Sequence, residues 1–314
     1  MFPRLATALS STVRGRVEQE VPLGQFTTYR LGGPAAIYVE PADIEDLYAL
    51  AHVLREEGAS VPVLSLGRGS NTVVSDSGWP GVALRLPKHT FSWTRPAGED
   101  AVSAGAATSL PVVANWAAYR DLAGIEFFVA IPGSVGGAVR MNAGAHGGEV
   151  AGVLGTALIF DLDNARVEER SAEALGFSYR HSNLAAHHLV IEAVFRLGAD
   201  APGAVKRRME EFRRHRAATQ PPAVQNAGST FKNPPGDHAG RLVEAAGLKG
   251  LRVGGVSVSE KHANFFVSES DATAQDVYDL VHEVRRRVED RFGVILEPEV
   301  RFAGRFEGSG VGSK

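Results

Sequence analysis

The segment at residues 131–148 constrains this chain more than any other, because six of its eighteen residues are glycine. Glycine tolerates a positive φ and lets another surface approach the main chain closely. Small residues and interspersed valines distinguish the segment from a polar linker. Two interpretations stay open: its backbone N–H groups bind an anion such as a pyrophosphate, or it is a glycine-rich turn between two core strands.

Composition narrows the class of protein. The 314 residues suggest two or three domains, and 33 basic against 36 acidic side chains give no positive field for nucleic acid or a membrane surface. The absence of cysteine excludes thiol chemistry and fits a reducing cytosol. The N-terminus lacks a signal-peptide core, and no run of about 18 apolar residues occurs. We therefore expect a cytoplasmic protein without nucleic-acid or membrane partners.

Hydrophobic periodicity predicts strands and helices along the whole chain. Strands are expected at residues 36–39, 61–66, 81–86, 101–104, 153–161, 188–197, 253–258 and 265–267, with a last strand in VILEPEVRF. The pair at 153–161 and 188–197 indicates a mostly antiparallel sheet. A break at residues 198–203 is the clearest linker, and the glycine-rich tail after Phe302 is expected to be disordered.

Helix signals are local and specific. One helix is expected from Asp43 to Gly58, and another from an N-cap at Ser109 to about Gly124. An apolar stripe predicts a helix after residue 203, and a short helix is expected at residues 238–246. The last helix begins with a capping box at Thr273 and ends at Gly293.

A second glycine turn follows a predicted strand and reads Gly67-Arg68-Gly69-Ser70-Asn71. It lacks the third glycine of a dinucleotide-binding fingerprint and the Gly-Lys-Ser/Thr ending of a P-loop. Alone, the turn is most simply a β-turn. Paired with residues 131–148, it indicates a phosphate cradle made of two loops.

Three polar residues elsewhere are candidates for chemistry. Arg180 is either a surface arginine or a guanidinium placed against a carboxylate or enolate oxygen. Ser229 has no nucleophile-elbow pattern around it, so it is either a turn serine or a hydroxyl that moves a proton. Glu299 is a solvated strand residue unless it projects beside Arg180. The histidine spacing suggests no metal site, and His187-His188 is interpreted as a loop-to-strand edge.

Seven segments, in order, resemble the UDP-N-acetylenolpyruvoylglucosamine reductase family, flavoenzymes of peptidoglycan precursor synthesis. They are TTYRLGGPA (27–35), LGRGSNTVVSD (66–76), GIEFFVAIPGSVGGAVRMNAGA (124–145), YRHS (179–182), AGSTFKNP (227–234), AGLKGLRVGGVSVSEKHANFFV (246–267) and LEPEVRF (296–302). Each segment alone is weak, but the combination is specific. SEKHANF and the lack of a long insertion in the last third resemble the shorter subtype.

The resemblance implies an α+β protein with a two-subdomain FAD-binding fold of the vanillyl-alcohol-oxidase (PCMH-like) type, followed by a smaller α/β substrate-binding domain. The implied boundaries are 1–90 and 91–200 for the two FAD-binding subdomains, 204–296 for the substrate domain, and 297–314 for a C-terminal strand and flexible tail. It further implies FAD, NADPH as reductant, a UDP-sugar substrate and a monomer. FAD is expected to be non-covalent, since the 66–76 turn contains no histidine or cysteine.

The resemblance also implies roles for individual residues. Arg180 and Glu299 polarise and hold the substrate's carboxylate and enolic oxygen, and Ser229 donates a proton. The implied FAD contacts are Gly67, Arg68, Gly69, Ser70, Asn71, Pro132, Gly133, Ser134, Gly136, Gly137, Asn142, Ala143, Gly144 and Ala145. The implied substrate contacts are Tyr179, Lys232, Asn233, His262 and Asn264. No metal is implied.

Some positions depart from the family's pattern and leave loop geometry open. Thr27 stands where the family often has asparagine, Thr230 where an aliphatic residue is more usual, and the PPAVQN loop is atypical. Two alternatives remain. One is another flavoprotein of this fold, which needs neither Ser229 nor the pair of Arg180 and Glu299. The other is a flavin- or nucleotide-binding protein without turnover.

Overall fold

The computed structural model describes residues 2–56 and 61–308. The predicted helix end at Gly58 lies outside the described residues, as does the predicted flexible tail from residue 309 onward. Within the described part, no helix combines the length and the apolar character that crossing a membrane requires.

Helices and strands alternate along the described residues. The α-helices are α1 (Phe2–Thr12), α2 (Ile44–Glu56), α3 (Lys88–Phe91), α4 (Leu110–Ala118), α5 (Val135–Met141), α6 (Ala204–Thr219), α7 (Ala239–Ala245) and α8 (Ala274–Phe292). Short 3-10 helices cover Leu23–Phe26, Glu126–Ala130 and Val150–Gly152. The strands are β1 (Arg16–Pro22), β2 (Pro34–Glu40), β3 (Val63–Ser65), β4 (Thr72–Val74), β5 (Trp79–Leu84), β6 (Thr94–Pro96), β7 (Ala101–Gly105), β8 (Leu122–Ala123), β9 (Gly144–Ala145), β10 (Gly148–Glu149), β11 (Leu154–Asp161), β12 (Arg166–Ser171), β13 (His188–Arg196), β14 (Gly198–Ala199), β15 (Arg252–Val253), β16 (Val256–Val258), β17 (Phe266–Ser268) and β18 (Arg301–Ala303).

The chain forms two compact units, each made of separate segments. The first unit comprises Met1–Gln19, Ile37–Arg68 and Gly81–Arg216. The second unit comprises Glu20–Ala36, Gly69–Pro80 and Ala217–Lys314. The units differ from the predicted domains, because two early segments belong with the last third of the chain.

A five-stranded antiparallel sheet, in the order β12-β11-β13-β7-β6, is the framework of the first unit. The predicted antiparallel pair of long strands is confirmed as β11 and β13. Helix α5 packs on β13, with Val135 and Val139 fully buried in the core. This packing fixes the glycine-rich segment against the sheet.

Helix α6 belongs to the first unit, although the sequence predicts a domain break just before it. Val205 and Met209 are each 1% exposed and join the first unit's core. Gly198–Ala199, inside the predicted linker, forms β14 and pairs with β8. The boundary between the units therefore falls after Arg216.

Helix α8 and the hairpins β15-β16-β17 organise the second unit. The predicted capping box is confirmed, because Thr273 Oγ1 accepts the Asp276 N–H at 3.0 Å while an Asp276 carboxylate oxygen accepts the Thr273 N–H at 2.9 Å. The predicted end is confirmed by Gly293, whose φ is 68°. The buried face of α8 consists of Ala274, Val277, Leu280, Val281, Val284 and Val288.

Three elements differ from the sequence prediction. The strand expected at 253–258 is a hairpin, since Gly254, with φ 50°, and Gly255 form a turn between β15 and β16. The expected last strand shortens to β18, and Pro298 makes only an isolated bridge to Phe231 because proline has no N–H to donate. Helix α4 ends at Ala118, well before Gly124.

Candidate active site

The two glycine segments meet within the first unit. A Cβ added to Gly67 would lie only 2.8 Å from Ser134 Oγ, which is closer than side-chain carbons approach such an atom. A side chain at position 67 would therefore push the Ser134 hydroxyl out of this contact. Ser134 is also the N-cap of α5, and its hydroxyl accepts the Gly137 N–H at 3.4 Å.

The glycine-rich segment is a helix with a short lead-in rather than an open turn. The Val135 N–H donates to Thr108 O and the Gly136 N–H to Ala106 O, both at 2.9 Å. These two N–H groups already donate to main-chain carbonyls of the protein. Fewer N–H groups of the segment therefore remain to bind an anion than the sequence suggested. Periodicity did not predict α5, because glycine is a poor helix former and two glycines lie in its first turn.

A small cavity opens beside the two glycine segments in the first unit. Its lining combines both segments with four basic side chains and includes Gly67, Arg68, Ser134, Gly136, Gly137, Arg85, Lys88 and Arg140. Clustered cations and a tight main-chain turn are the features that bind a pyrophosphate. The hypothesis of a two-loop cradle is supported by this arrangement.

Sequence reasoning missed three of the cations that line this cavity. Arg85 follows β5, Lys88 begins α3 and Arg140 lies in α5, so no local pattern links them. Arg85 Nη1 donates to Glu40 Oε1 at 3.0 Å. Arg140 Nη1 donates to Leu184 O at 3.1 Å. Both guanidinium groups are thus held in place by acceptors of the first unit.

In the second unit, the segment that contains Ser229 pairs with the segment that contains Glu299. The Glu299 N–H donates to the carbonyl of Thr230, the residue after Ser229, at 2.8 Å. The next pair along, Phe231 and Pro298, forms an antiparallel bridge. The predicted proton donor and the predicted carboxylate therefore lie on adjacent, paired segments.

Residues 69–71 of the first glycine turn belong to the second unit. A Cβ on Gly69, whose φ is +61°, would lie 2.2 Å from Phe26 O, so the position admits only glycine. Asn71, predicted to contact FAD, uses its side chain within the protein: Nδ2 donates to Glu299 O at 2.9 Å. Asn71 thus fixes the main chain at Glu299. Ser70, between Gly69 and Asn71, is half-buried.

A buried asparagine fixes the main chain that follows Ser229. Asn264, 4% exposed, was predicted to contact the substrate. In the structure its Oδ1 accepts the Phe231 N–H at 2.9 Å and its Nδ2 donates to Phe231 O at 2.8 Å. Its own carbonyl accepts the Thr230 N–H at 2.7 Å. Asn264 therefore positions the segment that carries Ser229.

The other predicted substrate contacts of the second unit lie near this segment. Lys232 Nζ forms an ion pair with Glu297 Oε1 at 2.6 Å. Asn233 Oδ1 accepts the Ala239 N–H at 3.0 Å and so holds the start of α7. His262 packs against Gly240, and burial lowers the pKa of His262. Its Nδ1 accepts the Asn264 N–H at 3.2 Å.

Arg180 lies in a tight turn of the first unit, closed by mutual N–H to O bonds between Ser178 and His181. Its φ is 55°, an uncommon conformation for arginine. Arg180 Nη2 donates to Gly144 O at 2.9 Å, and its guanidinium lies 4.9 Å from the Tyr179 ring centroid. These contacts hold the guanidinium in place, and its placement against a carboxylate or enolate oxygen stays a prediction.

The end of the glycine-rich segment is tied to the same turn. Asn142 is fully buried, and its Nδ2 donates to Ser178 O at 3.0 Å while its Oδ1 accepts the Ala151 N–H at 2.8 Å. Its side chain therefore supports the loop, and its contact with FAD stays a prediction. Ala143 and Ala145 take part through the main chain, in a bond from Val150 N–H and in the hairpin β9-β10.

Two family models match this chain. The FAD binding domain matches residues 35–159, and the C-terminal domain of UDP-N-acetylenolpyruvoylglucosamine reductase matches residues 220–303. UDP-N-acetylenolpyruvoylglucosamine reductase 2 of Symbiobacterium thermophilum is 46% identical over 304 residues, which cover 96% of this chain and 97% of the relative. The reductase of Rubrobacter xylanophilus is 47% identical over 285 residues, covering 90% and 94%. This chain belongs to the UDP-N-acetylenolpyruvoylglucosamine reductase family.

Solved structures agree with that membership. The reductase from Thermus caldophilus is 37% identical and matches with a TM-score of 0.78, covering 92% of this chain and all of that one. A glucose oxidase variant of Phl p 4 shares only the fold, at 13% identity and a TM-score of 0.51 over 63% of this chain and 44% of that one. The predicted α+β fold class is confirmed.

As a member of the reductase family, the protein is an FAD-dependent oxidoreductase. The first unit's cavity fits the pyrophosphate of FAD on structural grounds. A Cβ at position 67 would clash with the Ser134 hydroxyl, and both residues line the cavity. Arg68, Arg85, Lys88 and Arg140 supply positive charge to the same lining. Non-covalent attachment stays a prediction.

A histidine pair forms a small polar cluster that the sequence analysis did not foresee. Ligand-type atoms of Asp161, His187 and His188 lie within 4.8 Å of one another. They already have partners in the protein. Asp161 Oδ1 accepts the Asp163 N–H at 2.9 Å, and His188 Nδ1 accepts the Ala185 N–H at 3.0 Å. The predicted loop-to-strand edge is confirmed, since β13 begins at His188.

Proposed function

We propose that the protein reduces the enolpyruvyl group of UDP-N-acetylglucosamine enolpyruvate to the lactyl ether of UDP-N-acetylmuramate in peptidoglycan precursor synthesis. NADPH is the proposed reductant. The observation that carries the proposal is the bond between Glu299 N–H and Thr230 O at 2.8 Å, which places Ser229 and Glu299 on paired segments. Family membership and the basic cavity of the first unit support it.

FAD, when bound and reduced, supplies the hydride that adds to the terminal vinyl carbon. Negative charge then develops on the neighbouring carbon and spreads onto the carboxylate. Arg180 is proposed to stabilise that charge. Its guanidinium is already held by Gly144 O and Tyr179, and preorganised charge is commonly the largest catalytic contribution.

Ser229 is proposed to deliver the proton that completes the reduction. The addition of one hydride and one proton to the carbon–carbon double bond balances the reaction. A serine hydroxyl is a weak acid, so a neighbouring group has to polarise it.

Glu299 lies on the paired segment. Its carboxyl group would stabilise an enolate only when it is protonated.

The half-reactions test this proposal directly. The purified protein should be yellow, NADPH should bleach it without oxygen, and the colour should return when UDP-N-acetylglucosamine enolpyruvate is added. A flavin that reoxidises equally with unrelated acceptors, and no faster with this substrate, contradicts the proposal in favour of another flavoprotein function.

Ser229→Ala should separate the two half-reactions. General acid catalysis contributes about 10²–10⁴-fold, so stopped-flow reoxidation by the substrate should slow by about that factor while reduction by NADPH stays unchanged. Ser257→Ala, a half-buried serine in β16, is the matched control and should behave like the parent. Unaltered reoxidation in Ser229→Ala removes Ser229 from the mechanism.

A further inference from the structure

A basic cluster surrounds the tip of the hairpin β9-β10. His146 occupies the tip with φ 51°, followed by Gly147 with φ 81°, as in a two-residue type I′ turn. The His146 ring stacks on Phe212 of α6, with centroids 4.2 Å apart and planes 5° apart. His215 meets it edge-on at 5.2 Å. The turn and these ring contacts fix an exposed imidazole in one orientation.

Arg216 completes the cluster and carries an unused donor. Its Nη1 donates to Ala130 O at 2.5 Å. Its Nη2 is buried and has no hydrogen-bond partner among the described residues. Burial lowers the pKa of Arg216, and no carboxylate contributes to the shift. A desolvated guanidinium N–H without an acceptor is unfavourable, so a movement of the Arg216 side chain that brought this donor to an anion would be stabilising.

The charges around His146 also favour a bound anion. Burial lowers the pKa of His146, and the neighbouring His215 and Arg216 lower it further. Glu149, the acidic residue of the hairpin, pairs with Gly144 across from the tip. A bound anion would offset the repulsion among the basic groups and draw a proton onto His146.

The same hairpin links this cluster to the proposed carboxylate site. Gly144 O holds Arg180, and His146 follows two residues later, at the tip of the same hairpin. We propose that His146, His215 and Arg216 form a subsite for the phosphates of a nucleotide. The inference rests on the proposed function: a sugar nucleotide with an enolpyruvyl group carries its carboxylate and its diphosphate on different sides of one hexose.

Two ligands contain this chemistry, and titration calorimetry on the oxidised, FAD-loaded protein separates them. UDP represents the sugar nucleotide, and NADP⁺ represents the reductant. Test variants are Arg216→Gln and His146→Asn, because asparagine keeps the left-handed turn. Arg207→Gln is the control, since Arg207 lies on the opposite face of α6 at 3.6 residues per turn.

Each test variant should weaken UDP binding about tenfold or more, the factor expected for a lost charge-assisted hydrogen bond, while Arg207→Gln binds normally. Proton uptake on binding, measured in two buffers of different ionisation enthalpy, should disappear in His146→Asn. Weakened NADP⁺ binding instead of UDP binding supports the subsite and assigns it to the reductant.

The proposal is overturned if neither ligand is affected, or if Arg207→Gln weakens binding as much as Arg216→Gln. These measurements need no turnover. A protein that shows the binding losses but does not reduce the enolpyruvyl sugar therefore keeps the subsite and loses the proposed function. A protein that reduces the enolpyruvyl sugar but shows no binding losses in the variants keeps the proposed function and loses the subsite.

Discussion

At the scale of single residues, the second unit shows how a weakly acidic hydroxyl is held in place. The two residues after Ser229 have their main-chain polar groups hydrogen-bonded. The Thr230 carbonyl accepts the Glu299 N–H, and the Thr230 N–H donates to Asn264 O. The N–H and the carbonyl of Phe231 both bond to the Asn264 side-chain amide. A displacement of about 1 Å in a reacting group can lower a rate 10²-fold. Asn264 is therefore expected to affect the rate through the position of Ser229.

Asn264→Ala should slow flavin reoxidation by the substrate about tenfold to a hundredfold, because Phe231 loses both of its side-chain partners. Reduction by NADPH should stay at the parent rate, and stopped-flow absorbance separates the two steps. Leu280→Ala, which destabilises the same unit from α8, is the control for loss of stability alone. Equal slowing in both variants would mean that Asn264 acts only on stability.

At the scale of elements, the start of α2 is anchored by one buried carboxylate. Asp46, 1% exposed, accepts N–H bonds from Ala42 at 2.7 Å, Gly15 at 2.8 Å and Arg14 at 3.2 Å. Burial acts to raise the pKa of Asp46, but these bonds outweigh it and the pKa is lowered. The ionised carboxylate thus fixes the turn before β1 to the helix.

Asp46→Ala should lower the free energy of unfolding by about 3 kcal/mol, since unpartnered buried donors cost about 1–3 kcal/mol each. Because the folded-state pKa is lowered, the contribution is present above the unfolded value of about 3.9 and is lost as the pH falls through the folded value. Urea unfolding from pH 7 to pH 2 measures both. Glu45→Ala, an exposed neighbour, should change stability by less than about 0.5 kcal/mol.

Local signals made some elements predictable and hid others. The capping box at Thr273 and the C-cap at Gly293 depend only on near neighbours, so the limits of α8 follow from sequence. Helix α5 does not, because its glycines are tolerated only through packing on β13. The pairing of Thr230 with Glu299 joins distant parts of the chain, and no local signal in the sequence indicated it; only the family resemblance assigned Ser229 and Glu299 to the same reaction. Lys88 had no signal at all, since it joins the cavity through the fold.

At the scale of the whole molecule, the hydrophobic cores formed by the described residues do not cross between the units: two buried clusters lie in the first unit and one in the second. Met209 lies in a core drawn from the first unit, and Leu280 lies in a core drawn from the second. Both side chains are almost fully buried, at 1% and 0% exposure. The units are therefore expected to lose stability separately when one core is damaged.

Met209→Ala and Leu280→Ala should each cost about 2–5 kcal/mol. Hydrogen exchange followed by mass spectrometry should show faster exchange in β11 and β13 for Met209→Ala, and in α8 and β16 for Leu280→Ala. Uniformly faster exchange across the described residues in both variants would show that the two cores unfold as a single cooperative body.

The contact between Gly67 and Ser134 limits how this protein can escape a drug. A side chain at position 67 would displace the Ser134 hydroxyl, which also accepts the Gly137 N–H at the start of α5, so a substitution there that kept an inhibitor out of the adjoining cavity would also loosen this helix start. Resistance could also arise among the surrounding cations, where each change would be expected to weaken the proposed binding of the flavin's phosphates.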